Sequence, residues 1–197
     1  MAEKMMEKVS VTRDQVLNSV VMCVESGGAD KEPLDVLTFD YLDLHVVYRL
    51  QLGVGTSAKI THESLAKQGF TEFDIMSAAI KNTRAKLEVR SLGEILGMPD
   101  GIPVDCIKFK DNEMFGAAGI CFAEIFKELC EKRGVGHCYI LPSSVHEILV
   151  HYPIDTFATK EDLDAMVQAV NAAEVAPEEV LADHCYVYEL ETNTITY

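Results

Sequence analysis

Between Leu42 and Leu52 every even position is apolar (Leu42, Leu44, Val46, Tyr48, Leu50, Leu52), with Asp43, His45, Arg49 and Gln51 among the positions between them. That period of two predicts a half-buried strand. A different spacing governs Phe122, Ile125, Phe126, Leu129 and Cys130, which fall at i, i+3, i+4, i+7 and i+8. They predict a helix with one buried face, ending at Lys132-Arg133-Gly134 with bases in its last turn and glycine after it. Three further helices open on threonine with an acid or amide three residues on: Thr12 with Gln15, Thr71 with Asp74, and Thr159 with Asp162. Each is a capping-box pattern, in which side chain and backbone at the helix start satisfy one another. The first helix is expected to place Val16, Val20 and Cys23 on one face and to stop at Gly27-Gly28. The second is expected to place Phe73, Met76 and Ile80 together as its apolar face, and the third to bury Leu163, Met166, Val167 and Val170. A shorter helix is expected over residues 61–68, stopped by Gly69, and Pro177 opens a helical turn.

Short β-prone runs fill the intervals, at residues 87–90 and 106–110, separated by a loop with Gly97, Pro99, Gly101 and Pro103. Residues 137–141 and 147–152 form a further pair joined through Pro142 to His146. A terminal hairpin is expected around Thr192-Asn193. Residues 27–38, with Pro33, read as the loosest loop. The expected fold class is α+β: one domain over residues 12–197 behind a flexible N-terminus of residues 1–11, with a mixed or antiparallel sheet and four or five helices. The hairpins argue against a purely parallel sheet.

The composition narrows the class. The chain has 197 residues, 48% of them hydrophobic, which suits a globular protein. No apolar run reaches the length of a membrane span, and the first residues carry charges where a secretory signal would be apolar. Six cysteines without a C-x-x-C pair read as buried thiols of a reducing cytoplasm. The net charge is −15, and residues 155–197 hold ten acids against one base, Lys160. Such a segment disfavours phosphate backbones, where affinity comes from Lys and Arg, and suits a basic protein surface. Its candidate interaction residues are Glu161, Asp162, Asp164, Glu174, Glu178, Glu179 and Asp183. The plainer account of the same acids is solubility, together with the preference of helix N-termini for negative charge.

The most distinctive order of polar groups is Y-I-L-P-S-S-V-H-E, residues 139–147. Tyr139, Ser143, Ser144, His146 and Glu147 are the candidate ligand or turn site. Zinc fails on spacing: His146 and His151 are five apart, about 140° around a helix and on opposite faces of a strand, whereas one metal needs both rings on one side. A serine nucleophile fails on crowding, since working triads draw base and nucleophile from separate segments. Ser144 to Glu147 also fits S-x-x-E, a pattern that satisfies the amides of one turn. Gly53-Val54-Gly55-Thr56 lacks the third glycine and the lysine of a phosphate loop. No cofactor, no metal, no membrane and no nucleic acid is expected.

Three blocks carry a resemblance: Tyr41-Leu-Asp-Leu-His-Val-Val-Tyr-Arg49, Ala78-Ala-Ile-Lys-Asn-Thr83, and the Tyr139–Glu147 run. With the terminal Val170–Val175 and Glu178–Asp183 segments, they resemble an uncharacterised family, domain of unknown function 5688, found in clostridial bacteria and their mobile elements. Ala182 departs from it, standing where the family tends to have serine. The resemblance implies a mobile-element setting and supplies no reaction, cofactor or catalytic residue. Two functions are therefore expected. The first is a non-enzymatic binding protein of a phage or mobile element whose acidic surface engages a basic host or defence complex, such as a nuclease it inhibits. The alternative is a small-ligand binder or hydrolase using Ser143 or Ser144 with His146 and Glu147.

Overall fold

In the computed structural model, residues 12–27, 35–53, 55–98, 102–110, 114–154 and 158–197 are described. The expected flexible N-terminus and most of the loop around Pro33 lie outside these residues. The described elements are α1 (Arg13–Ser19), β1 (Val20–Ser26), β2 (Thr38–Tyr41), β3 (Leu44–Gly53), β4 (Thr56–Lys59), α2 (His62–Gln68) and α3 (Glu72–Lys86). They continue with β5 (Leu87–Ser91), α4 (Leu92–Ile95), β6 (Val104–Phe109), a 3-10 turn (Gly116–Cys121), α5 (Ala123–Arg133), β7 (His137–Ser144), β8 (Glu147–His151), α6 (Lys160–Glu174), β9 (Tyr186–Glu189) and β10 (Thr194–Thr196). The class is α+β, built on two antiparallel sheets rather than one. In the smaller sheet, β3 takes β1 along one edge and β2 then β4 along the other. The larger runs β10-β9-β7-β8-β6-β5. Among the described residues, no helix is long and apolar enough to cross a membrane.

The threonine caps form as read. Thr12, Thr71 and Thr159 each accept from the amide three residues on, and Gln15, Asp74 and Asp162 reach back to the cap amide. Each cap contributes about 1 kcal/mol to its helix. Gly69 and Gly134 end α2 and α5 in the left-handed conformation. The α5 stripe from Ile125 to Cys130 is buried as its spacing predicts.

Four expectations fail, each for a physical reason. The first helix does not reach Gly27. From Val20 the run Val-Val-Met-Cys-Val is buried on both faces, and β-branched residues fit a covered strand better than a helix. On α3 the core face is Ile75, Ala79 and Thr83, while Phe73 is 78% exposed and Ile80 47%. Small residues win there because α3 lies close on β1: Thr83 Oγ1 accepts from the Met22 amide at 2.8 Å, and Asn82 donates to the Leu17 and Val20 carbonyls. The helix thereby satisfies a backbone edge that β3 leaves open. On α6 only Leu163 and Val167 are buried, and Met166 and Val170 face out, because the helix meets one small apolar cluster with Leu141 and Cys185. Finally β7 continues through Pro142 to Ser144. Pro177 does open a turn, with the Glu179 amide donating to the Ala176 carbonyl at 2.8 Å.

The two sheets meet around the 3-10 turn, whose residues Gly116 to Ile120 are all buried. A methyl group at Gly116 would lie 2.5 Å from the Phe109 amide nitrogen and 2.6 Å from the His146 carbonyl oxygen. Backbone therefore packs on backbone at this point. Elsewhere the sheets are tied by Tyr186 Oη donating to Asp43 at 2.7 Å. Asp105, 5% exposed, accepts from both Arg133 and Tyr152, pinning the end of α5 to β6.

Gly116→Ala is expected to destabilise the fold by about 3 kcal/mol or more, since the clash is with backbone and no side chain can swing away. Urea denaturation checks it, and an unchanged midpoint would show that the turn has room. Tyr48 presents the opposite case. Its buried hydroxyl has no hydrogen-bond partner among the described residues, and burial pushes its pKa up to about 12. Tyr48→Phe removes an unmatched polar atom and is expected to raise stability by about 1 kcal/mol. A clear loss in the same titration would reveal a partner for the phenol.

Candidate functional site

β7 and β8 are joined through Val145 and His146, with Ser144 paired to Glu147 in register. The turn is held from within and from both sides. Ser144 Oγ accepts from the His146 amide at 3.1 Å, Val145 N donates to the Glu179 carbonyl at 3.1 Å, and Ala117 N donates to the Val145 carbonyl at 3.4 Å. His146 completes the brace. The Phe115 amide donates to its Nδ1 at 3.4 Å, and its Nε2 lies 3.3 Å from Glu179 Oε1. A backbone N–H only donates, so Nδ1 is the acceptor, and Nε2 carries the proton it gives to Glu179. Both ring nitrogens are occupied, and neither is left to take a proton from a serine.

The five candidate residues do not converge. Ser143 takes no part in these bonds. Glu147 accepts from the Cys106 thiol at 3.5 Å; burial and this carboxylate push the thiol up to about 12. Tyr139 lies five strand positions from Ser144, about 16 Å away, with its ring centroid 5.4 Å from His137 and 6.2 Å from His151. Of the five, His146 lines a cleft.

This cleft, of about 460 Å³, lies between the two sheets. One wall carries an ion-pair cluster: Glu25 is gripped by Arg49 at 3.1 Å and Lys59 at 2.7 Å, and Arg49 also donates to Ser57 Oγ. The other wall is acidic, formed by His146, Glu178 and Glu179. Phe115 closes the base with the Arg49 guanidinium 5.1 Å above its ring. Its backbone sits at φ +82°, a conformation that costs a residue with a side chain about 1 kcal/mol or more and that clusters at ligand sites. The His146 bond and the Arg49 stacking hold it there. Glu25, Arg49, Lys59 and Phe115 escape the reading of the sequence. Arg49 and Glu25 share a sheet face only once β1 is known to be a strand, and Phe115 stands in no periodic pattern.

The acidic residues differ in how much of their charge is already used. Asp162 caps α6, Asp164 accepts from Lys160 and the Cys185 amide, and Asp183 accepts from Asn171. Glu161, Glu174 and Glu178 are exposed. Among the described residues, no three ligand-type side chains converge on a metal-sized site.

Fold and site together define a two-sheet α+β protein with a polar cleft at the seam, walled by a histidine-braced turn. The chain matches the family of unknown function DUF5688 over residues 2–190 and belongs to it. No curated protein and no solved structure matches.

Burial also shifts a titration beside Tyr139. The His151 imidazolium loses hydration on β8, which holds its pKa below the ordinary value. A depressed folded value contributes stability above the unfolded value, near 6.5, and that contribution is lost as pH falls. The urea midpoint is expected to drop from about pH 7 to about pH 5, and less so in His151→Gln. An imidazole that titrates in NMR at or above its ordinary value would overturn this.

Proposed function

We propose that the protein is a non-enzymatic binding protein whose seam cleft takes a small zwitterion of amino-acid or short-peptide type. The observation that carries this reading is the opposition of charge across the cleft. Arg49 and Lys59 offer their N–H donors around Glu25 on one wall, and Glu178 and Glu179 stand with His146 on the other. A carboxylate against the first wall and an ammonium against the second satisfy both. Its volume lies within the ordinary range for ligand sites. A hydrolytic role for Ser143 or Ser144 has less support, because His146 is a brace and not a base.

Calorimetric titration with single amino acids and dipeptides tests it. At least one class is expected to bind one to one, with Arg49→Met and Glu178→Gln each weakening it about tenfold and Ser143→Ala without effect. A panel with no binder sinks the proposal, as does binding indifferent to both charge variants.

A second reading, an acidic surface engaging a basic protein of a host or mobile-element setting, is supported by the layout of residues 158–197. α6 covers β7, β9 and β10 form the adjacent edge, and Glu161, Glu174 and Glu178 are exposed. Their one base, Lys160, is held by Asp164 at 2.8 Å. A stoichiometric partner captured at about 50 mM salt, released near 300 mM, and lost on replacing Glu161, Glu174 and Glu178 by Gln is the expected outcome. A partner indifferent to those replacements would discard it.

A further inference from the structure

A second and larger opening, of about 890 Å³, lies between α3, the β1–β2 face and the start of α5. It shares no lining residue with the seam cleft. Its walls are apolar: Phe39 from β2, Ile80 from α3, Leu87 at the start of β5 and Phe122 before α5. Phe39 and Ile80 stay 37% and 47% exposed. Large apolar side chains left half in water around a concave space mark a place where apolar matter gains by entering.

The charge at this opening runs against the rest of the molecule. The chain has 17 bases and 32 acids. Among the described residues that line it, Lys81, Arg84 and Lys110 stand against one carboxylate, Glu124. Arg84 Nε meets Glu124 at 3.3 Å, and Lys110 Nζ donates to the Ala85 carbonyl at 2.7 Å. Guanidinium offers five N–H donors and ammonium three, so both groups keep donors beyond these bonds. Lys81 has no side-chain partner among the described residues. Lys81 and Arg84 stand three residues apart on α3, so both reach the same rim of the cleft.

We propose that this cleft binds an amphipathic organic anion, with an acyl or aryl body against Phe39, Ile80 and Phe122 and a single anionic head on Lys81 and Arg84. The volume lies in the range of drug-sized ligand sites and exceeds what a bare inorganic anion fills. Neither half of the arrangement explains the other. Apolar walls alone would suit a neutral ligand, and surface bases alone would need no cavity. Burial pushes the thiol of Cys121, which lines it, up to about 12, so that this side chain offers no thiolate at neutral pH.

Fluorescence titration of the full chain with 1-anilinonaphthalene-8-sulfonate, an aryl body with one anionic head, tests the proposal directly. The probe is expected to bind saturably at one site and to be displaced by decanoate. Decan-1-ol, equal in chain length but uncharged, is expected to displace it about tenfold less well. Lys81→Gln with Arg84→Gln is expected to weaken probe and decanoate about tenfold, and Ile80→Glu to abolish both, while Arg49→Met in the other cleft changes neither. All these positions are exposed or half-buried and off the core, and circular dichroism confirms that each variant is folded. Non-saturable probe binding, equal displacement by decanol and decanoate, or a double variant that binds as the parent does would each overturn the proposal.

Discussion

The approach of backbone to backbone at Gly116 sets the spacing on which the rest of the molecule depends. The sequence Gly-Ala-Ala-Gly from 116 to 119 has almost no side chain, so a turn of chain fits between two sheets that larger residues would hold apart. One end of this insert is Phe115, and its forced conformation aims an amide at His146 and a ring at Arg49. The other end is Cys121 and Phe122, which shape the larger opening. Both clefts are thus set by one short run of small residues, and neither is lined mainly by it. Close packing makes such a junction sensitive, because interiors have little free volume to absorb a misplaced methyl group.

Around that insert, a few polar ties connect elements far apart in the chain, and they fall in the blocks that carry the family resemblance. Asn82 and Thr83 close the open edge of β1. Asp43 holds Tyr186 across the two sheets, and Arg49 holds Glu25. Ser144 and His146 lock the β7–β8 turn, and Asn171 ties α6 to the strand entry at Ala182 and Asp183. The blocks are therefore understandable as architecture without any reaction. Each tie satisfies backbone groups or charges that folding takes out of water, where an unpaired group costs far more than a paired one returns.

The elements were legible wherever one local rule applied. Thr12, Thr71 and Thr159 announced helix starts, Gly69 and Gly134 announced stops, and the alternation announced β3 from Leu44 onward, Leu42 lying in the turn before it at φ +59°. Legibility failed where tertiary packing chose between two locally acceptable faces. Val16, Val20 and Cys23 satisfy a helical spacing, but the burial of Val21 and Val24 as well makes that run a strand. Phe73 and Ile80 satisfy the same spacing on α3, but Asn82 and Thr83 needed β1, so the small-residue face turned inward. The candidate site was half legible for a related reason. His146 could be picked out by its neighbours in sequence, whereas Glu25, Arg49 and Phe115 meet it only through pairings that span the chain.

The order of strands in the larger sheet carries a consequence for how the molecule behaves in crowded solution. Its two outer strands, β5 and β10, are the places where a foreign strand could add. At one end the three residues of β10 are too few to template an extended partner. At the other, β5 reads Leu-Glu-Val-Arg-Ser and sets Glu88 and Arg90 on either side of Val89, so an incoming chain would have to bury charge to pair there. The sheet is finished at both margins, and growth into fibrils is discouraged by its ends rather than by its core.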